Sequence, residues 1–295
     1  MTRARRLDRG ELKKVVVIGS RWKPAGQDVA RAIAGWLEHN GVEVVADIDG
    51  QADLDQAVQG ADLAISVGGD GTMLSTARRM GPAQVPTMGV NLGRLGFLAE
   101  FSEVEVRDWI AGRLNLELVV EPRMRLRCQL QNGQGQKPQY ALNDAVVSQG
   151  ILTHLVTIEL LVDGVVATTY RADGVIVSTP VGSTAYSLSL GGPILTPGLK
   201  AFIVTPIAPH ALTNRPIVVA GQSRLEFRIA SPIGEAGLVL DGHEQLPLRE
   251  GDTFEVRRAT RDFLVVTSER RSYYDLLRTR LGWGERPRLR PEGEA

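Results

Sequence analysis

The chain has 295 residues, of which 43% are hydrophobic and 23% charged, as expected of a globular protein with one large or two ordinary domains. Its 34 Lys and Arg residues balance 34 Asp and Glu residues, so the zero net charge gives no support for nucleic-acid binding. The single cysteine, Cys128, excludes an intramolecular disulfide and a metal site built on several thiolates.

The N-terminal segment is rich in basic residues, but the apolar run that follows it is short. That run, Val15 to Ile18, ends at Gly19, and a secretory signal would need a longer one. We therefore interpret the segment as a solvated tail, like the charged stretch from Glu285 to Ala295. No apolar run approaches the roughly 18 residues that span a membrane. These features, with the lone cysteine, favour a cytoplasmic protein without a membrane partner.

The first hundred residues alternate strand-like and helix-like patterns. Val15 to Ile18 is a continuous β-branched run, typical of a strand buried on both faces. Further elements are predicted as strands at 42–46, 63–67 and 85–90 and as helices at 28–39 and 73–80. Strands that alternate with helices predict parallel βαβ units in a Rossmann-like α/β domain, with ligands at the carboxyl ends of the strands.

The pattern changes near residue 121 to short β-rich runs between turn residues. Strands are predicted at 126–130, 145–147, 155–162, 175–178, 217–219, 225–229 and 263–266, with hairpin turns at Asn132-Gly133 and Asp163-Gly164. This spacing favours an all-β fold of the β-sandwich type. We assign residues 1–121 to the α/β domain and residues 122–269 to the β-rich domain. A last helix, predicted at 273–281 within 270–295, is expected to pack back on the first domain.

Gly68-Gly69-Asp70-Gly71-Thr72 follows a predicted strand and opens a predicted helix. Glycines let backbone N–H groups approach a phosphate closely, and the helix N-terminus adds a positive partial charge. Because a carboxylate repels phosphate, Asp70 in such a loop indicates a group that accepts a proton or holds a metal. An ordinary glycine turn capped by Asp is the structural alternative. The spacing fits neither a Walker A loop nor the dinucleotide fingerprint of three spaced glycines.

The range Arg171 to Ser189 combines a strand end, a turn with Pro180 and Gly182, and a run dense in hydroxyl groups. Hydroxyl and backbone N–H groups on a turn suit ribose and phosphate oxygens, and Tyr186 offers a flat face for stacking on a base. A Ser/Thr-rich turn with a buried tyrosine is the alternative, and this range alone does not decide between them.

Asn143-Asp144 stands at the start of the apolar run 145–147. An amide beside a carboxylate can bind ribose hydroxyls or an adenine edge. Taken by itself the pair is better explained as a simple turn.

Several segments together resemble the NAD kinase family. The glycine–aspartate loop is similar to that of NAD kinases and is shared, in other versions, with diacylglycerol and sphingosine kinases and phosphofructokinases. The segments that favour NAD kinases are Gly89 to Leu98, Asn143-Asp144, Asp173 to Ser189 with Gly191 to Ile194, Thr205 to His210, Asp241 to His243, Tyr273 to Arg278 and Leu281 to Gly284. The resemblance covers nearly the whole chain in the expected order.

This resemblance implies transfer of the γ-phosphoryl group of ATP, or of polyphosphate, to the 2′-hydroxyl of the adenosine ribose of NAD. Asp70 would be the general base, and Gly68, Gly69, Gly71 and Thr72 would line the phosphate site. The implied NAD contacts are Asp70, Gly71, Asn143, Asp144, His154, Arg171, Asp173, Thr184, Ala185, Tyr186, Ser187, Leu188, Ser189, Ala208 and His243. It also implies Mg²⁺ together with ATP, and a homodimer or homotetramer whose sites are shared between subunits. No residue of the chain is assigned to the metal.

The chain departs from the family pattern at three positions. Val181 stands where Thr or Ser is more common, so a hydroxyl contact there is lost. His243 replaces Gln, and Ser75 replaces an Arg that some members carry. His154 has a structural alternative, since a lone histidine beside apolar Leu155 is more often part of the fold than of a site.

Two other functions remain open on the sequence. A lipid kinase of the diacylglycerol type would share the loop but would need an apolar acceptor pocket, where this chain offers hydroxyls, Asn143 and Tyr186. A non-catalytic dinucleotide sensor would have no need of Asp70. Formation of NADP from Mg-ATP and NAD distinguishes all three.

Overall fold

The computed structural model describes residues 5–20, 23–93, 95–116, 118–131, 137–149, 155–230, 236–268 and 270–284. Its helices are α1 (Pro24–His39), α2 (Leu54–Ala57), α3 (Asp70–Arg79), α4 (Glu103–Ile110), α5 (Tyr186–Ser189) and α6 (Tyr273–Leu281). Its strands are β1 (Arg5–Leu7), β2 (Lys14–Ile18), β3 (Glu43–Asp47), β4 (Leu63–Val67), β5 (Thr87–Asn91), β6 (Phe101–Ser102), β7 (Leu118–Arg123), β8 (Leu126–Leu130), β9 (Gln139–Ala141), β10 (Asp144–Gln149), β11 (Val156–Val162), β12 (Val165–Ala172), β13 (Gly174–Ser178), β14 (Ala201–Ile207), β15 (Ile217–Ala220), β16 (Leu225–Ile229), β17 (Ala236–Leu240), β18 (Glu244–Leu248), β19 (Thr253–Arg258) and β20 (Phe263–Ser268).

The first sheet has eight strands in the order β1-β7-β20-β5-β4-β2-β3, with β6 paired to β5. Its centre is parallel, whereas β7 runs antiparallel to β1 and β20. Helices α1 and α4 pack on one face, and α2 and α3 on the other. Because both faces are covered, the central strands carry continuous apolar runs, and β4 is buried along its whole length.

Two six-stranded antiparallel sheets form the β-rich part, in the orders β15-β14-β13-β10-β17-β18 and β12-β11-β16-β19-β8-β9. Their inner faces share one hydrophobic core, in which Phe227 and Phe254 stack at 4.8 Å. Side chains alternate along each strand, so Ala145 and Val147 enter this core and Asp144 belongs to the opposite face. The predicted fold class, an α/β part with a β-sandwich-like part, is confirmed.

One strand lies in a different sheet from the one that the sequence predicted. The run 263–266 was assigned to the β-rich part, but β20 pairs with β5 and β7 in the first sheet. Such pairing joins segments far apart in sequence, and the local pattern does not encode it. The hairpin at Asp163-Gly164 is confirmed, since both residues have positive φ between β11 and β12. Asn132-Gly133 lies outside the described residues. The domain boundaries stay a prediction.

A third hydrophobic cluster joins the two parts of the molecule. It contains Met73 of α3, Leu98 and Ala99 from the first part, and Leu142 and Val181 from the second. Val181 is 8% exposed, so its apolar side chain packs at this junction. None of the helices among the described residues is long and apolar enough to cross a membrane.

Candidate active site

The glycine loop connects β4 to α3 in a conformation that only glycine adopts readily. Gly68 and Gly69 have φ of 153° and 130°, and a Cβ on Gly68 would lie 2.2 Å from Oγ1 of Thr72. The Gly68 N–H donates to the carbonyl of Val90 at 2.8 Å, which fixes the loop to the end of β5. The loop therefore lies at the carboxyl edge of the parallel strands, where this fold class binds ligands.

A cavity of about 480 Å³ opens over the start of α3. Gly71, Thr72 and Ser75 line one side of it, and His243 lines it from the β-rich part. The cavity is also lined by Lys23, Arg78 and Arg79, of which Arg79 is ion-paired with Asp47 at 2.7 Å. The first-turn N–H groups of a helix and several cations favour an anionic ligand, so this cavity suits the phosphates of a nucleotide.

The Asp70 carboxylate is held by three backbone N–H groups. Phe97 donates to Oδ2 at 2.8 Å, and Leu98 and Ala99 donate to Oδ1 at 3.0 Å each. A carboxylate has about four lone-pair sites, so about one remains, on Oδ2. Asp70 is only partly buried, which leaves it accessible to a ligand in the cleft.

Asn143 and Asp144 are positioned by another carboxylate, that of the buried Asp241. Its oxygens accept the N–H groups of Leu142, Asn143 and Asp144 at 2.8, 2.8 and 3.1 Å. The Asn143 carbonyl accepts the N–H of Thr179 at 2.9 Å. The backbone of the pair is fixed on both sides, and no hydrogen bond of either side chain is found within the described ranges.

Burial sets the protonation of this acidic pair. Asp144 and Asp241 are each 6% exposed. Burial, together with the smaller effect of the nearby Asp241 charge, raises the pKa of Asp144 to about 7. Burial also raises the pKa of Asp241, against the effect of its three N–H donors and of Arg78. Two adjacent buried carboxyls favour a ligand that brings a proton donor or a cation.

The segment after β13 has hydroxyls of two kinds. Tyr186 is 45% exposed, and Ser189 and part of Thr184 also reach the surface. Ser187 is fully buried, and its hydroxyl forms a hydrogen bond with that of Thr205 at 3.0 Å. Ala185 and Leu188 are partly buried between them. The exposed members can meet a ligand directly, whereas Ser187 holds the turn against β14.

Arg171, Asp173 and Ala208 form a separate group at the other end of β13. The Asp173 N–H donates to the carbonyl of Ile207 at 2.9 Å, beside Ala208, which has a φ of 43°. Asp144 is the register partner of Ser178, five residues further along the strand. At about 3.3 Å per residue, the two groups lie roughly 16 Å apart. His154 lies outside the described residues.

Sequence reasoning did not identify three residues that shape this site. Lys23 donates to the Gly68 carbonyl at 3.1 Å, Arg78 lines the cavity, and Asp241 orients the Asn143-Asp144 pair. Only Asp241 had a local signal, its position in Asp241 to His243, one of the segments on which the resemblance rests. A glycine loop that opens a helix below a cationic cavity, with a partly accessible carboxylate, is an arrangement that suits a nucleotide-dependent phosphotransferase.

Comparison with known proteins gives the family. Residues 51–118 match the model of the ATP-NAD kinase N-terminal domain, and residues 142–268 match that of the ATP-NAD kinase C-terminal domain. The NAD kinase of Geotalea daltonii is 38% identical over 93% of this chain and 100% of its own length. That of Geobacter sulfurreducens is 39% identical with the same coverage. The chain belongs to the NAD kinase family, which phosphorylates NAD to NADP with ATP as donor.

Solved structures agree with this family. A yeast NADH kinase complexed with NADH superposes with a TM-score of 0.81 at 26% identity, covering 97% of this chain and 96% of the other. An NAD kinase from Archaeoglobus fulgidus in complex with ATP gives a TM-score of 0.71 at 27% identity, covering 91% and 97%. The α/β part followed by the β-rich part is therefore the fold of the family.

Proposed function

We propose that Asp70 is the general base of this kinase and removes the proton of the 2′-hydroxyl of the adenosine ribose as the γ-phosphoryl group of ATP is transferred to it. The observation that carries the proposal is the carboxylate itself. It stands on the first residue of α3, in the glycine loop, and retains about one free lone pair. A carboxylate beside phosphates weakens binding, so its presence there favours a chemical role.

The phosphate groups of ATP would lie over the glycine loop. Gly69 and Gly71 bring backbone N–H groups and Thr72 a hydroxyl to the start of α3, where Gly68 supplies the turn and Lys23 stands beside them. Catalysis of phosphoryl transfer rests mainly on positioning and on neutralising charge, and these groups can do both. ATP is the donor in the family, and polyphosphate would reach the same loop.

NAD would bind along the face formed by Asn143, Asp144 and the turn after β13. The backbone of Asn143 and Asp144 is fixed by Asp241, and their side chains form no hydrogen bond in the described part of the chain, so the side chains can bind ribose hydroxyls. Tyr186 would stack on a base. The further contacts assigned to this site are Thr184, Ala185, Leu188, Ser189 and His243, whereas the buried Ser187 would support the turn that carries them.

Mg²⁺ would enter with ATP. Among the described residues no group of three or more His, Cys, Asp or Glu could hold a metal. Mg²⁺ often binds through one or two carboxylates together with substrate phosphates, so the buried Asp144 carboxyl fits as one protein ligand. When bound, the cation would neutralise charge on the transferred group.

A second copy of the chain would complete the site. The resemblance assigns three further residues to NAD, and they lie roughly 16 Å along β13 from Asp144: Arg171, Asp173 and Ala208. Near them, Leu212 is 91% exposed, and the edge strand β15 exposes Ile217 and Val218 by 47% and 48%. Exposed apolar residues on a sheet edge favour association, so a homodimer or homotetramer in the cytoplasm is proposed.

One assay tests the function. The purified chain is incubated with Mg-ATP and NAD, with NADH or diacylglycerol replacing NAD in parallel reactions, and NADP and phosphorylated lipid are measured. NADP formation from ATP supports the proposal. Phosphorylated lipid without NADP would indicate a lipid kinase, and binding of NAD without any transfer would indicate a sensor.

A further inference from the structure

The segment Gly96 to Ala99 wraps around the Asp70 carboxylate. It is closed by a hydrogen bond from the Gly96 N–H to the Ala99 carbonyl at 3.1 Å, and the N–H groups of Phe97, Leu98 and Ala99 all point to the carboxylate. Hydrogen bonds to an ionised acceptor are about twice as strong as neutral ones. The segment therefore fixes both oxygens of Asp70.

Gly96 is the position where this wrapping is tightest. A Cβ there would lie 1.9 Å from Oδ1 and 2.6 Å from Oδ2 of Asp70, far inside contact distance. Gly96 has no positive φ, so a left-handed backbone is not what excludes a side chain there. The Asp70 carboxylate is thus the obstacle to a side chain. Gly93, in the same loop, has open space where its Cβ would stand.

The other residues of the segment, and Glu100 after it, contact the rest of the protein. Leu98 and Ala99 are 3% and 0% exposed in the cluster that joins the two parts of the molecule. The Phe97 ring lies 6.2 Å from that of Tyr273, and Arg271 donates to the Glu100 carbonyl at 2.8 Å. The segment cannot follow a displaced carboxylate without disturbing these contacts, so it acts as a rigid support.

We propose that Gly96 to Ala99 is a positioning element for phosphoryl transfer, with Gly96 as the residue that permits it. By occupying three lone-pair sites, the segment leaves Asp70 one direction, on Oδ2, in which to accept the hydroxyl proton. Gly96 itself touches no reacting atom and acts through Asp70. This inference rests on the proposed role of Asp70 as general base and adds the segment that orients its carboxylate.

The first test compares Gly96→Ala with Gly93→Ala as a matched control. A misplacement of about 1 Å can cost roughly 10²-fold in rate, so Gly96→Ala is expected to lower kcat by about 10–100-fold while KM for ATP and NAD changes less than about threefold. Gly93→Ala should keep kcat within about twofold. Equal kcat for Gly96→Ala and wild type would overturn the inference.

The second test asks whether Gly96 acts through Asp70. The melting temperatures of wild type, Gly96→Ala, Asp70→Ala and the double variant form a cycle. Gly96→Ala should lower the melting temperature by several degrees when Asp70 is present and by clearly less when Asp70 is alanine. Equal losses in both backgrounds would contradict the inference. A wild-type enzyme that forms no NADP would instead refute the proposed function and leave this cycle informative.

Discussion

At the scale of single residues, two aspartates share one arrangement. Asp70 accepts the N–H groups of 97–99, and Asp241 accepts those of 142–144. Each carboxylate fixes three consecutive residues of a distant segment by hydrogen bonds that also orient the carboxylate. In the first case the aspartate is the proposed general base, and in the second the aspartate orients its neighbours, Asn143 and Asp144.

The sequence predicted Asp70 and Asn143-Asp144 because local motifs contain them. It could not predict what holds them, since the partners of Asp70 lie 27 to 29 residues away and those of Asp241 lie 97 to 99 residues away. The inward direction of the Ser187 hydroxyl is likewise set by packing on β14 and not by the hydroxyl-rich pattern. The assigned contacts themselves stay predictions until substrate kinetics test them.

Replacing Asn143 with alanine tests its role toward NAD. Loss of a hydrogen bond to a ligand hydroxyl costs about 0.5–1.5 kcal/mol, so KM for NAD should rise by about 2–13-fold. Steady-state kinetics should show an unchanged KM for ATP. Asn40→Ala, at the C-terminal end of α1, serves as control. Equal increases for both substrates would show that Asn143 does not bind NAD selectively.

At the scale of elements, helix ends and buried strands were the most predictable features. The predicted bounds of α6 are confirmed because Ser272 and Asp275 form a capping box and Gly282 ends the helix in the left-handed conformation. The continuous apolar run of β4 was equally clear. By contrast, α1 begins at Pro24, four residues before the predicted start, because proline is accepted at the first helical position.

A buried acid, Glu100, lies where β20, α6 and the segment Gly96 to Ala99 meet. Glu100 is 6% exposed, and burial raises its pKa from 4.5 to about 7. The Ser268 N–H, Arg123 and Arg271 oppose this increase, and Glu121 adds to it. In the folded protein Glu100 is therefore neutral up to near neutral pH, whereas in the unfolded chain it ionises near its ordinary value.

The raised pKa of Glu100 makes the free energy of unfolding depend on pH. The folded state is favoured fully below about pH 4.5, where Glu100 is neutral in both states, and this contribution is lost as the pH rises through about 7. Glu100→Gln, neutral at every pH, should gain stability relative to wild type between pH 4.5 and 8. The difference should reach about 3 kcal/mol in urea unfolding. Exposed Glu250→Gln is the control. A difference that does not change with pH would refute the assignment.

At the scale of the whole molecule, the site is built from distant parts of the chain. The glycine loop and His243 face each other across one cavity, and Arg125, 1% exposed, joins the parts by donating to the carbonyls of Ala77 and Arg261. The sequence predicted an α/β part and a β-sandwich-like part. The return of β20 to the first sheet depends on long-range pairing, which short patterns do not contain.

Sharing of sites between subunits can be tested by mixing two impaired variants. Asp70→Asn removes the base, and Asp173→Ala removes a residue assigned to the neighbouring site. Subunits co-expressed and assembled together should form some sites that contain both native residues, so part of the activity should return. A mixture no more active than the sum of its components, or a monomer in light scattering, would contradict shared sites.

The central claim is that Asp70 performs the proton transfer, and the most direct measurement is kcat of Asp70→Asn for NADP formation from Mg-ATP and NAD. The asparagine keeps the shape of the side chain and removes the base. General-base catalysis contributes about 10²–10⁴-fold, so kcat should fall by that factor while NAD binding persists. Recovery at high Mg²⁺ would instead indicate that Asp70 positions the cation. A near-normal kcat would contradict the account and leave Asp70 as the residue that fixes the loop at 96–99.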